Sequence, residues 1–72
     1  MTVGEKLRML RKQNGKMQRE IAQVFNMTRQ AISNYERGTR TPDLNTLHKL
    51  TRYYQITMDE LFPEDTDPER DP

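Results

Sequence analysis

Residues 18–38 read Q-R-E-I-A-Q-V-F-N-M-T-R-Q-A-I-S-N-Y-E-R-G, and two short helices are legible in them. Ile21, Ala22 and Phe25 share one side of a helix over about 18–25. Ala31, Ile32 and Tyr35 share the inward side of a second over about 28–37. Asn26 tolerates the left-handed conformation that ends a helix, and Thr28 supplies an N-cap oxygen for the next one. Gly38 closes the second helix. A corner of two or three residues makes the helices cross steeply. Such a crossing brings two backbones close and favours a small residue, which Ala22 supplies. Met27 and Ile32 are then placed to fill the gap. Met17 stands where Ser, Thr or Asp is expected, so the first of the two helices starts without a good cap.

The rest of the chain follows the same pattern of short capped helices. Thr2-Val3-Gly4-Glu5 reads as a capping box, with Val3, Leu7, Leu10 and Arg11 on one narrow face and Asn14-Gly15 as the stop. Residues 39–42 form a loop. Asp43 caps a fourth helix carrying Leu44, Leu47, Leu50, Thr51 and Tyr54 at three- and four-residue steps. Thr57-Met58-Asp59-Glu60 is a second capping box, opening a short fifth helix with Leu61 and Phe62. No stretch alternates with period two, so strands are not expected. From Pro63 the chain reads P-E-D-T-D-P-E-R-D-P, without an apolar anchor. The expectation is one all-α domain of five helices over residues 1–62 and a disordered acidic tail over 63–72.

A chain of 72 residues holds one small domain with a limited core. With no Cys a disulfide framework is excluded, and His48 as the single His makes a poor zinc site. No apolar run approaches the roughly 18 residues that span a bilayer. Residues 1–17 carry charges throughout, unlike a signal peptide. Ser33 has no adjacent His to activate it, and the carboxylates cluster at the end of the chain. No catalytic site, metal, cofactor or small-molecule ligand is expected. Charge is more telling. Residues 1–54 carry eleven basic and four acidic side chains, whereas residues 55–72 carry seven acidic and one basic. A basic body suggests a polyanionic partner, although basic residues also serve simply to solvate helix faces.

Two helices packed across so tight a corner meet the requirements of a DNA-binding helix-turn-helix. The run from Met17 to Leu50 resembles the Cro- and lambda-repressor-like helix-turn-helix family of bacterial and phage regulators, also called the xenobiotic-response-element family. The matching residues are Gln18 with Ile21-Ala22, Ile32-Ser33 with Tyr35-Glu36-Arg37-Gly38, and Pro42. The opening L-R-M-L-R and the closing I-T-M-D-E-L-F fit the family's first and last helices. Met17 and Asn26 depart from its usual capping Ser or Thr and its usual Gly. The resemblance implies a five-helix bundle whose third helix is the recognition helix.

The exposed face of that helix, read from spacing, is Arg29, Gln30, Ser33, Asn34 and Arg37. Arg29 and Gln30 lie in its first turn and are the expected base readers, since Arg suits guanine and Gln suits adenine. A phosphate contact is the alternative for Arg29, and Ser33 and Asn34 suit either role. Gln18, Arg19, Thr28, Arg37, Thr39 and Arg40 are expected phosphate contacts, with Thr41 nearby. For Gln18 this role is one the family implies, with plain solvent exposure as the alternative. The resemblance also implies a largely buried salt bridge between Arg11 and Glu36.

The expected function is a sequence-specific, double-stranded-DNA-binding transcriptional regulator, a repressor binding a two-fold operator as a homodimer in the cytoplasm. The alternative is an antitoxin-type module of the same fold working with a partner protein. An exposed apolar patch near Met58, Leu61 and Phe62, with Tyr53 beside it, would serve either kind of interface. The acidic end reads as a solubilising tail, with competition against phosphate for the basic face as its sharper alternative.

Overall fold

Thr2, Thr28, Asp43 and Thr57 each accept a hydrogen bond from the backbone N–H three residues ahead, at 3.1, 3.1, 2.8 and 3.1 Å. Each of these caps opens a helix. The computed structural model describes residues 1–62 and contains α1 (Val3–Gln13), α2 (Gln18–Val24), α3 (Arg29–Arg37), α4 (Leu44–Tyr54) and α5 (Met58–Leu61). No strand occurs among the described residues. The protein is thus an all-α five-helix domain, as the sequence predicts. The expected acidic tail, 63–72, lies outside the described residues. Among the described residues no helix is long and apolar enough to cross a membrane.

α2 begins without a side-chain cap at Met17, whose own N–H instead donates to Glu20 Oε1 at 2.7 Å. At Asp43, hydrogen bonds from the Thr46 side chain and backbone hold the carboxyl below its ordinary range. Asn26 takes φ 56° at the α2–α3 corner, and the Met27 N–H then donates to the Ala22 carbonyl at 2.8 Å. One left-handed residue therefore reverses the chain and fixes how the two helices cross.

Every helix contributes to the core. Leu7 and Leu10 come from α1, Ile21 and Ala22 from α2, and Ile32 and Tyr35 from α3. Leu47, Leu50 and Tyr54 come from α4, and Leu61 from α5. α3 packs on both α1 and α2, while α5 closes against α1 and α4. Ile21 and Leu61 are wholly enclosed, each worth about 1.5–3 kcal/mol of burial. Phe25, Met27, Tyr53, Ile56 and Met58 pack around the outside. Tyr53 meets Phe25 and Tyr54 edge-on, with ring centroids 5.5 and 5.1 Å apart.

The apolar pattern misleads at two positions. Leu44 is 72% exposed, because it follows the Asp43 cap directly and precedes the part of α4 that turns onto the core. Phe62 is 42% exposed, because the backbone has already left α5 in an extended conformation there. Leu61 is buried completely and Met58 partly. The expected Met58–Leu61–Phe62 surface patch therefore shrinks, since Leu61 is a core residue that no partner can reach.

Candidate nucleic-acid interface

Arg11 and Glu36 lie 25 residues apart and form the most buried polar pair described. Arg11 Nε donates to Glu36 Oε2 at 2.7 Å and Nη2 donates to Oε1 at 3.1 Å. The remaining Nη1 donates to the Lys16 carbonyl at 2.9 Å. The Glu36 hydrogen bond holds the Arg11 guanidinium above its ordinary value, against the opposing effect of burial. The pair ties α1, the α1–α2 loop and α3 together. Two-pronged pairing of a planar guanidinium with a carboxylate is the geometry that makes such a buried pair tolerable.

Gln18, the first residue of α2, adds a third donor: its Nε2 reaches Glu36 Oε1 at 3.1 Å. Its Oε1 accepts from Arg29 Nη1 at 3.4 Å. Further along α3, Asn34 Oδ1 accepts from Gln30 Nε2 at 3.1 Å and from Arg37 Nη2 at 2.9 Å. The Thr39 hydroxyl lies 3.3 Å from both Oδ1 and the main-chain oxygen of Asn34. Arg29, Gln30 and Arg37 are exposed, while Ser33 and Asn34 are half-buried on the same face. The outward face of α3 is consequently a row of polar side chains braced on one another.

Beside it runs a groove of about 840 Å³ between the start of α1 and the end of α3. Arg8, Gln18, Ser33, Arg37, Arg40 and Thr41 line it. The neighbouring carboxylates are all engaged: Glu5 Oε1 accepts from the Thr2 N–H at 2.8 Å, Glu20 caps α2, and Glu36 holds Arg11. Arg8, Arg37 and Arg40 outnumber the carboxylates that line the groove, Glu5 and Glu36, of which Glu36 is paired with Arg11. The Thr28 oxygen is occupied by the Ala31 N–H, which leaves its hydroxyl hydrogen available as a donor. Arg19 is exposed on the next residue after Gln18.

The structure brings Gln18, Ser33, Arg37 and Arg40 to one groove, and Arg29 within reach of Gln18. Thr39 is exposed just beyond α3, with its hydroxyl facing Asn34. Helical spacing does not single out Arg8, whose place on this rim depends on α1 lying across the end of α3. Among the described residues no group of three or more His, Asp or Glu side chains could hold a metal ion.

A family profile described as "Helix-turn-helix" matches residues 7–61. The chain belongs to this helix-turn-helix family. Its paired helices are α2 and α3, and the resemblance read from the sequence is correct. The chain is 38% identical over 65 residues to the HTH-type transcriptional regulator ImmR of Bacillus subtilis. That match covers 90% of this chain and 51% of ImmR, so the chain spans about half the length of that relative. The crystal structure of the restriction-modification controller protein C.AhdI from Aeromonas hydrophila superposes with a TM-score of 0.75 at 33% identity. This covers 83% of this chain and 91% of C.AhdI. The BldD DNA-binding domain of S. venezulae gives a TM-score of 0.73 at 28% identity, covering 85% of this chain and 91% of that domain. This protein therefore shares its fold with those two solved structures.

Proposed function

We propose that this protein is a sequence-specific double-stranded-DNA-binding transcriptional regulator, acting as a repressor through a two-fold operator bound by a homodimer. The observation that carries the reading is the convergence of Arg8, Arg37 and Arg40 along one groove beside the polar outward face of α3. That convergence supplies both parts a DNA reader needs. Cationic and hydroxyl donors meet phosphates and set the register, and a helix with an outward polar face meets base edges. The names of ImmR and BldD's DNA-binding domain point the same way.

In this reading α3 enters the major groove with its first turn foremost. Arg29 offers paired N–H donors to guanine and Gln30 offers its amide to adenine. Ser33 and Asn34 follow along the same face. Gln18, Arg19, Thr28, Arg37, Thr39, Arg40 and the added Arg8 contact the backbone. One helix of nine residues reads too few base pairs for useful selectivity, which is the reason for a dimer spanning two half-sites about one helical turn apart. A bound dimer across a promoter represses by keeping polymerase off.

Selection of bound sequences from a random duplex pool tests this directly. An inverted repeat is the expected result. Absence of any enriched motif from protein shown to be folded would remove the sequence-specific reading.

A further inference from the structure

Gln18 stands between two groups with opposite hydrogen-bonding needs. The Glu36 carboxylate can only accept, and the Arg29 guanidinium can only donate. Gln18 answers both, with Nε2 on Glu36 Oε1 at 3.1 Å and Oε1 toward Arg29 Nη1 at 3.4 Å. Turning the amide over would set oxygen against oxygen and N–H against N–H. The end of Gln18 that meets Arg29 is therefore chosen by Glu36. Glu36 is itself immobilised: it is 7% exposed and held two-pronged by Arg11. Arg11 is anchored in turn on the Lys16 carbonyl. A single consistent series of donors and acceptors thus runs from the buried pair to the exposed first residue of α3.

An exposed Arg at a helix start otherwise samples many rotamers, and holding it costs side-chain entropy on binding. A partner that restrains it beforehand lowers that cost and narrows the direction of approach. We infer that Glu36, acting through Gln18, is a positioning residue for sequence recognition: it aims the Arg29 guanidinium, so the buried pair governs base choice as well as stability. This rests on the proposed DNA-reading role of α3 and adds the determinant of how Arg29 is presented. It also separates two duties of Gln18, since a phosphate contact would strengthen binding to every sequence, whereas aiming Arg29 affects one base pair.

The test is a set of affinities of the full chain for the selected operator and for its single-base-pair variants. The proteins are wild type, Arg29→Ala, Gln18→Ala, Glu36→Gln and the double variant Gln18→Ala/Arg29→Ala. Arg29→Ala identifies the base pair that Arg29 reads. Gln18→Ala and Glu36→Gln should each lower discrimination at that same pair, by roughly 3- to 10-fold, and change it little elsewhere. The double variant should discriminate no worse there than Arg29→Ala alone. Equal losses at every position, or additive effects in the double variant, would overturn the relay while leaving the DNA-binding reading intact. Wild-type protein that binds no DNA would overturn that reading and the relay with it. Should Glu36→Gln fail to fold, exchange of the Gln18 side-chain amide hydrogens in the wild type decides the Glu36 half. Slow exchange supports the relay, and exchange at the rate of a free Gln overturns it.

Discussion

A Cβ on Gly4 would stand 2.5 Å from the carbonyl oxygen of Tyr35 and 2.6 Å from that of Glu36. The first turn of α1 is therefore laid directly on the backbone of α3, with no side chain between them. That approach lets Arg11, two turns further along α1, reach Glu36. It also sets Arg8 beside Arg37 and Arg40. In the sequence, Gly4 looks like an indifferent member of a capping box.

Gly4→Ala is expected to destabilise the protein by about 1–3 kcal/mol, because two carbonyl groups must retreat to make room. In a freely exposed helix the same change would stabilise by about 0.5–1 kcal/mol. Urea denaturation distinguishes the two by the direction in which the midpoint moves. A higher midpoint would mean that α1 and α3 separate at little cost.

Glu36→Ala leaves the Arg11 guanidinium buried without its counter-charge, and a loss of about 3–5 kcal/mol is expected. Replacing both partners with apolar residues, Arg11→Met with Glu36→Leu, should cost distinctly less, because no charge is stranded. Chemical denaturation of the single and double variants checks this. A double variant as unstable as the single one would show that the pair matters through its shape and not its charge.

On DNA, Arg29→Ala should lose roughly 1–3 kcal/mol on the selected site and relax preference at one base pair. Arg40→Ala and Arg8→Ala should weaken all duplexes alike and flatten the dependence of log affinity on log salt by about one unit each. Titrations against specific and random duplexes at several salt concentrations read both quantities. Indistinguishable behaviour of Arg29→Ala and Arg8→Ala would undo the division into base readers and phosphate contacts.

Gln55 closes α4 with φ 60°, a region that side chains other than Gly and Asn enter reluctantly. Gln55→Gly should raise stability by about 1 kcal/mol, since the strain of a left-handed residue with a Cβ is about 1–2 kcal/mol and glycine gives part of the gain back as unfolded-state entropy. The midpoint of thermal unfolding should rise by about 4–8 °C for a domain of this size. An unchanged midpoint would mean that contacts of the Gln55 side chain offset the strain.

Burial, reinforced by the nearby Glu36 charge, pushes the Tyr54 hydroxyl up to about 12. In the unfolded chain this phenol loses its proton near pH 10. Between roughly pH 10 and 12 the unfolded state therefore holds fewer protons than the native state, and stability falls as pH rises through that window. Below pH 10 the contribution is fully present. Tyr54→Phe cannot ionise, so the difference in unfolding free energy between wild type and variant should be flat up to about pH 10 and then move in favour of the variant. A difference that stays constant to pH 12 would show that Tyr54 ionises as readily in the fold as outside it.

Local chemistry alone determines the elements of this protein. Thr2, Thr28, Asp43 and Thr57 announce their helices because a cap is made with a backbone N–H three residues away. Asn26 and the residues around it prescribe the α2–α3 corner for the same reason. The outward face of α3 follows from helical spacing, and membership of the helix-turn-helix family follows from the order of these parts. The tertiary structure decides whatever depends on how far apart two helices lie. Leu44 has the right period for the core yet precedes the buried part of α4, and Phe62 follows the last turn of α5. Gly4 matters only because the carbonyls of Tyr35 and Glu36 lie against it, and Arg8 joins the basic rim only because α1 crosses α3 there. Spacing along a chain specifies which side of a helix a residue occupies. What that side meets is set by close packing against elements tens of residues away, and no local pattern encodes that distance.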